Sequence, residues 1–324
     1  MIKLLSKISK EKIKNIKIAV FGDLMIDNYI LGSCERLSPE APVPILNVKD
    51  RFYVLGGAGN VCVNINGLGA SVVPIGFIGE DESGKIIEKL FNNLKISSEH
   101  VYSSSNIYTT SKTRLLSGNQ QLIRYDDEKI DYDPILEEKI EKRLLKILHN
   151  IDMLVISDYG KNTCSDQLTK KMIDKSRELH IPIIVDPEKD LTDFKKYRNS
   201  TIIKPNFNEV RNLYGQLSNN DNDIENVLKK ISKDFNIENV IITRGSKGMS
   251  ILSNENKIVH INTSAKEIYD VSGAGDTVLA TVSVLMNTNF NIFEASEVAN
   301  YAAGIVISKM GTRPIEISEL VKDL

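Results

Sequence analysis

Ile16-Lys-Ile-Ala-Val-Phe-Gly22 decides the reading of the fold. The run is apolar, rich in strand formers, and stops on a glycine, which describes a strand buried on both faces. A helical window follows over 57–68, with Val61, Ile65 and Leu68 at spacings of four and three. Val72–Ile78 predicts the next strand and 82–94 the next helix. The rhythm returns later: Met153–Ser157, Ile183–Asp186, Thr201–Lys204 and Val240–Thr243 read as short apolar strands. Helical windows at 134–149, 165–179, 206–214 and 224–235 separate or follow them. Strands alternating with helices predict an α/β fold, a mostly parallel sheet with helices on both faces. Ligands of such sheets bind beyond the carboxyl ends of the strands. Asp158, Asp186, Asn206 and Arg244 all lie just past a strand end.

Two segments break the rhythm. Residues 31–53 and 107–127 are strand-like but lack a following helix, and the second reads as a hairpin around Gly118-Asn119. They predict a small β-sheet projecting from one domain that spans 1–324. A sheet with one apolar face needs cover. A substrate or a second subunit supplies it in this reading, so a homodimer through this lid is expected.

Composition excludes several classes. Hydrophobic content of 41% and charged content of 26% suit a globular enzyme. A net charge of -2 leaves no electrostatic footprint for nucleic acid or an anionic membrane. No apolar run reaches the length of a membrane span. The amino-terminal decapeptide reads as an amphipathic helix and not a signal peptide. Cys34, Cys62 and Cys164 are odd in number and widely spaced, so neither a disulfide framework nor a CxxC metal site is expected. A cytoplasmic location follows as the expectation. The histidines (His100, His149, His180, His260) stand apart from one another and predict no triad.

Chemistry concentrates in Asp270-Val-Ser-Gly-Ala-Gly-Asp276, which runs directly into a helical pattern. Gly273, Ala274 and Gly275 let backbone N–H groups converge at a helix N-terminus, where an anion is held. Asp276 at the rim can take a proton while those amides hold a transferring phosphoryl group. The same residues also read as a glycine turn with Asp276 as helix cap. Gly56-Gly57-Ala58-Gly59-Asn60, together with Asp27, suits a polyhydroxyl ligand, although the glycines equally describe a helix-start turn. Asn206 and Glu209 form a capping-box pattern, and the same carboxylate can order magnesium waters. Thr243-Arg244-Gly245-Ser246-Lys247-Gly248 reads as a phosphate or ribose wall, or as a hairpin turn. Asn300 and Gly304 lie on a small-residue helix face that, with Gly311-Thr312, offers a slot for a purine or merely tight helix packing. Neither GxGxxG nor a Walker A lysine pattern occurs.

Taken in order, Gly56-Gly57…Asn60, Asn206-x-x-Glu209, Thr243-Arg244-Gly245…Gly248 and Asp270…Gly273-Ala274-Gly275-Asp276 resemble the ribokinase-like (PfkB) carbohydrate kinase family over nearly the whole chain. Within it, Gly22-Asp23-Leu-Met-Ile-Asp27, Arg36-Leu-Ser-Pro-Glu-Ala-Pro-Val-Pro44, Ser157-Asp-Tyr-Gly-Lys161, Lys112-Thr-Arg114 and Gln120-Gln-Leu-Ile-Arg124 look like the D-glycero-β-D-manno-heptose 7-phosphate kinases. The resemblance implies ATP and Mg²⁺, and a monovalent cation (K⁺) near Asp270. It implies phosphorylation of the anomeric hydroxyl to give the 1,7-bisphosphate of lipopolysaccharide precursor synthesis. Asp27, Gly56, Gly57, Asn60 and Asp158 would hold the sugar. Lys112, Arg114 and Arg124 would meet its phosphate. Asn206, Thr243, Arg244, Gly245, Gly248, Asn300 and Gly304 would hold the nucleotide, and Asn206 and Glu209 the metal. Some relatives carry a following nucleotidyltransferase domain with an HxGH motif. This chain lacks that motif, so the kinase step alone is expected. The usual VDPK-Gly pattern is changed to Val185-Asp186-Pro187-Glu188-Lys189. A helix N-terminus favours a charged carboxylate, so Asp276 is expected to be a weak base, sufficient for a loose phosphoryl transition state. The rival readings are the same chemistry on fructose- or ribose-type acceptors, and a non-catalytic sugar or nucleotide sensor on the same fold.

Overall fold

The structure is a computed structural model and describes residues 1–118, 120–129, 131–161, 163–189, 191–215, 217–264, 269–309, 311 and 313–322. The strands are β1 Lys17–Gly22, β2 Leu24–Leu37, β3 Pro44–Gly57, β4 Ser71–Gly79, β5 His100–Ser104, β6 Ser111–Ser117 and β7 Gln120–Asp127. They continue as β8 Met153–Ser157, β9 Ile183–Asp186, β10 Ile202–Ile203, β11 Asn239–Thr243, β12 Met249–Leu252 and β13 Ile258–Ile261. The helices are α1 Ile2–Leu5, α2 Lys10–Lys14, α3 Ala58–Gly67, α4 Glu82–Asn93, α5 Pro134–Leu148 and α6 Asp166–Glu178. They end with α7 Phe207–Tyr214, α8 Asp221–Phe235, α9 Ala274–Met286, α10 Ile292–Ile307 and α11 Ile317–Leu320.

The large sheet has the order β13-β12-β11-β10-β9-β8-β1-β4-β5. Its strands pair in parallel from β5 to β11, and only β12 and β13 at one edge are antiparallel. Successive side chains of a strand point to opposite faces, and β1 divides the core accordingly. Ile18 and Val20 enter the cluster shared with α3, α4, α9 and α10. Ala19 and Phe21 enter the one shared with α5, α6, α7 and α8. Burial on both sides explains why the central strands read as unbroken apolar runs. The helices start where short polar side chains take up free N–H groups: Asp81 accepts from Gly84, Ser165 from Leu168 and Asn220 from Asp223.

The second sheet has the order β3-β2-β6-β7. It is larger than the sequence reading of 31–53 and 107–127. β2 begins at Leu24 and β3 ends at Gly57, so Asp27, Gly56 and Gly57 are lid residues. The run Leu24-Met-Ile-Asp-Asn-Tyr-Ile hides this because its apolar residues do not alternate; Met25, Ile26 and Tyr29 are all buried. The amino-terminal segment is broken into α1 and α2, with Ser9 capping the second. Asn119 and Thr312, which the sequence reading used, lie outside the described residues.

Candidate active site

Asp276 sits in the first turn of α9, at the carboxyl end of the large sheet and below the lid. The turn that aims it depends on Gly273, whose backbone is left-handed at φ 78°, a region where an L side chain is strained. The first i→i−4 bond of α9 runs from Thr277 N–H to the Gly273 carbonyl at 2.9 Å, while Ala274 N–H donates to the Val271 carbonyl at 3.3 Å. Lys204 stands beside the turn: a Cβ on Gly275 would lie 3.6 Å from its Nζ.

The carboxylate is buried and held from two sides. Asn60 Nδ2 donates to Oδ2 at 2.7 Å, and the Tyr159 hydroxyl donates to Oδ1 at 2.9 Å. No lysine or arginine is ion-paired with it among the described residues. Burial, reinforced by the negative charge of Asp186, pushes its pKa up to about 6 against the pull of Asn60, Tyr159 and Lys204. This corrects the expectation of a base weakened by the helix terminus: desolvation outweighs the dipole.

Tyr159 escaped the sequence reading as a functional residue. Its place is set by Asp23, whose buried carboxylate accepts from the backbone of Tyr159, Lys161 and Thr163 at 2.8, 3.1 and 3.0 Å. A tyrosine past a strand end carries no sequence signal of its own, and the acid that positions it lies far back in the chain. Lys204 was missed for the same reason. It is buried and ion-paired with Asp186 at 2.9 Å.

On the sugar side, Gly56 and Asp27 converge: a Cβ on Gly56 would lie 3.1 Å from Asp27 Oδ2. Gly57 takes φ 55°, and a Cβ there would meet the Asp23 carbonyl at 2.5 Å. Arg114 Nη1 donates to Asp27 Oδ1 at 2.5 Å, with both side chains buried. Arg114, expected at the substrate phosphate, is thus consumed by Asp27. Arg124 is exposed and paired with Asp126 at 2.9 Å, so it too is already partnered. Asp158, expected on the sugar, instead accepts from Gly160 N–H, the Tyr197 hydroxyl and Lys196 at 2.9, 2.8 and 2.6 Å. Lys112 reaches over the Tyr159 ring at 5.5 Å.

Across α9 lies a cavity of about 560 Å³ lined by Asn206, Thr243, Arg244, Gly245, Gly248, Asn300 and Gly304, with Ala274 and Gly275 at its inner end. The expected nucleotide residues are therefore brought together, but not all by their polar ends. The Arg244 guanidinium turns away from the cavity to Asp221 Oδ1 (2.6 Å), Asn219 Oδ1 (2.8 Å) and Ser250 Oγ (2.9 Å). The Asn300 amide donates to the Asn262 carbonyl at 2.8 Å. Thr243 to Gly248 is at once the wall and the turn of the β11–β12 hairpin.

Asn206 and Glu209 make the expected capping box at the start of α7. Glu209 is buried; burial and the negative charge of Asp186 push its pKa up to about 7. Glu209 and Asp186, the latter paired with Lys204 at 2.9 Å, are carboxylates of the kind that order the waters of a divalent cation. Among the described residues no cluster forms a full protein cage, which suits Mg²⁺, an ion held through waters and phosphates. Asp270 accepts from Ser272 N–H at 2.8 Å, and residues 265–268 beside it lie outside the described set.

A large mostly parallel sheet, a lid of four strands and an acid at a glycine-opened helix terminus define the ribokinase-like class of fold. Ribokinase from Arabidopsis thaliana, complexed with ribose and ATP, superposes with a TM-score of 0.73 at 20% identity, covering 95% of this chain and 98% of that one. Phosphofructokinase-2 from Escherichia coli, in complex with substrates and products, gives 0.78 at 17% identity, covering 95% and 97%. At these identities the likeness speaks for the fold. The sequence itself matches the pfkB family carbohydrate kinase profile over residues 15–318, and the chain belongs to that family. It is a sugar kinase. Among curated proteins it is similar to the bifunctional protein HldE of Nitratiruptor sp., 37% identical over 305 residues, 94% of this chain and 64% of that protein. HldE of Pasteurella multocida is 38% identical over 307 residues, 95% and 63%. The chain therefore spans under two thirds of the length of these relatives. No described helix is long and apolar enough to cross a membrane.

Proposed function

We propose that the protein transfers the γ-phosphoryl group of ATP to the anomeric hydroxyl of D-glycero-β-D-manno-heptose 7-phosphate, giving the 1,7-bisphosphate, as a step toward the ADP-heptose of lipopolysaccharide core. One observation carries the reading: Asp276 lies between the nucleotide-sized cavity and the carboxylate–glycine pocket of the lid, with a free-energy bias toward taking up a proton. The bond from the γ-phosphorus to the ADP oxygen breaks as the bond to the sugar O1 forms, and the O1 proton passes to Asp276. Asn60 and Tyr159 hold the carboxylate in place. Asp27, oriented by Arg114, and the backbone at Gly56 and Gly57 receive sugar hydroxyls. The amides of Gly273 and Gly275, with Lys204 beside them, bind the transferring phosphoryl oxygens. Glu209 and Asn206 would order the waters of Mg²⁺, which neutralises phosphate charge when bound. The lid leaves Val48, Phe52, Tyr53, Ile123 and Tyr125 exposed, which supports a dimer formed through it. A coupled ADP-release assay across a panel of heptose, hexose and pentose phosphates tests the acceptor. Highest kcat/KM on the heptose phosphate supports the assignment; a clear preference for fructose 6-phosphate or ribose rejects it.

A further inference from the structure

We propose that Asn64, fully buried on α3, is a positioning residue for the proton acceptor: it fixes which end of the Asn60 amide faces Asp276. The inference rests on the sugar-kinase reading of this cleft and adds what orients its base.

Asparagine suits a helix interior poorly, because its amide competes with the backbone. Asn64 occupies such a place in α3, one turn after Asn60. A buried amide is costly unless each of its polar atoms is bonded. This one uses both N–H groups and both oxygen lone pairs. Nδ2 donates to the Asn60 carbonyl at 2.8 Å and to Asn60 Oδ1 at 3.2 Å. Oδ1 accepts from the Thr277 hydroxyl at 3.1 Å and from Ile315 N–H at 3.0 Å. Two of these partners are backbone groups of fixed polarity: a main-chain N–H only donates, and a main-chain carbonyl only accepts. Ile315 N–H therefore fixes the Asn64 oxygen on its side, and the Asn60 carbonyl fixes the nitrogen on the other. With that amide fixed, its N–H meets the oxygen of the Asn60 side chain. The Asn60 nitrogen is left to face Asp276 Oδ2, to which it donates at 2.7 Å. A turned Asn60 would present an oxygen to a carboxylate oxygen. Backbone polarity is thus carried through two side-chain amides to the reacting carboxylate. The donor at the head of this relay is itself seated. A Cβ on Gly67 would meet the Ile315 carbonyl at 2.4 Å, so the bare glycine lets the 313–315 segment close on α3. Thr277, the residue after Asp276, ties the relay to α9. The other groups facing Asp276 are the Tyr159 hydroxyl, Asp186 and Lys204; Asn60, Tyr159 and Lys204 favour its charged form against burial and Asp186.

The test follows kcat and kcat/KM against pH in the wild type, Asn64→Leu, Asn60→Ala and the double variant. Asn239→Leu, which removes a buried amide bonded to the Thr201 carbonyl and Asn254 N–H at the far end of β11, is the control for stability loss alone. Loosening Asn60 weakens a bond that favours the charged carboxylate, so Asn64→Leu is expected to move the acid limb upward by about half a pH unit or more. Its kcat should fall about tenfold with KM for ATP unmoved. In the Asn60→Ala background the same substitution should cost less than about twofold further, because the two residues act as a unit. The control should keep the wild-type limb. An unmoved limb in a folded Asn64→Leu, or a loss that multiplies in full onto that of Asn60→Ala, overturns the assignment. If Asn64→Leu does not fold, Asn64→Thr replaces it under the same outcomes, since a threonine hydroxyl can bond the Asn60 carbonyl one turn back without reaching its side chain. Near-normal turnover in Asp276→Asn would instead sink the base. The titration midpoint of the Asp276 carboxyl, read by carboxyl-carbon NMR with the spectrum of Asp276→Asn as the blank, then decides. A midpoint raised in Asn64→Leu supports the relay, and an equal midpoint overturns it.

Discussion

The two sides of the cleft are built on opposite electrostatic plans. On the nucleotide side the polar side chains are satisfied internally: Arg244 is locked to Asp221, Asn219 and Ser250, and Asn300 to Asn262. What faces the cavity is mostly backbone, glycine and small apolar surface. Toward the reacting centre the carboxylates stay incompletely compensated: burial makes Asp276 and Glu209 resist ionisation. A wall of settled groups selects by shape, whereas a field of unsettled ones is completed by ligand, metal and the moving proton. Buried polar groups without full compensation are costly to a fold, and they concentrate where function needs them.

The largest effect expected from breaking this contrast is at Asp276. Asp276→Asn should lower turnover by about two orders of magnitude or more while ATP still binds. The same change should stabilise the fold at neutral pH. A carboxylate raised from 3.8 to about 6 favours folding fully below the lower value, and that favour is lost as pH rises through the upper one. The asparagine variant should therefore gain on the order of 1–3 kcal/mol at pH 7, a gain that fades below about pH 4. Denaturant melts at the two pH values measure it.

Lys204→Met tests the next contribution. It leaves Asp186 without its partner, so a stability loss of about 3 kcal/mol is expected. Turnover should fall at least about tenfold, because a charge beside the Gly275 amides is gone. Normal kinetics in a stably folded variant would remove Lys204 from the phosphoryl site.

Glu209→Gln should raise the Mg²⁺ concentration for half-maximal rate roughly tenfold. In the wild type that concentration should fall as pH rises through about 7, since the ionised form orders the metal waters and Glu209 ionises there. A magnesium titration at several pH values checks the sign.

The smallest functional effect is expected on the settled side. Arg244→Met should lower stability by on the order of 1–2 kcal/mol through lost hydrogen bonds. KM for ATP should stay within about threefold, because the guanidinium never faces the cavity. A large rise in KM(ATP) would break the contrast between the two sides.

The same contrast explains what the sequence disclosed. Central strands such as Met153–Ser157 and Ile183–Asp186 are legible because burial on both faces writes a continuous apolar run. The 270–276 turn is legible because its glycines and acid are local. The early start of β2 is not, since its buried apolar residues fall on both parities. Arg114, Arg124 and Asp158 read as ligand residues because a sequence shows a charge but not its partner; the structure adds Asp27, Asp126 and Lys196 as those partners. Tyr159 and Lys204 were overlooked because their importance comes from Asp276, Asp186 and Gly275, joined to them only by the fold.

The most direct test of the proton acceptor is the pH dependence of kcat/KM, measured in parallel for the wild type and Asp276→Asn with the same acceptor. The account predicts an acid limb bending near pH 6 in the wild type that is absent from the residual activity of the variant. An identical limb in both proteins, or near-normal turnover in the variant, would contradict it.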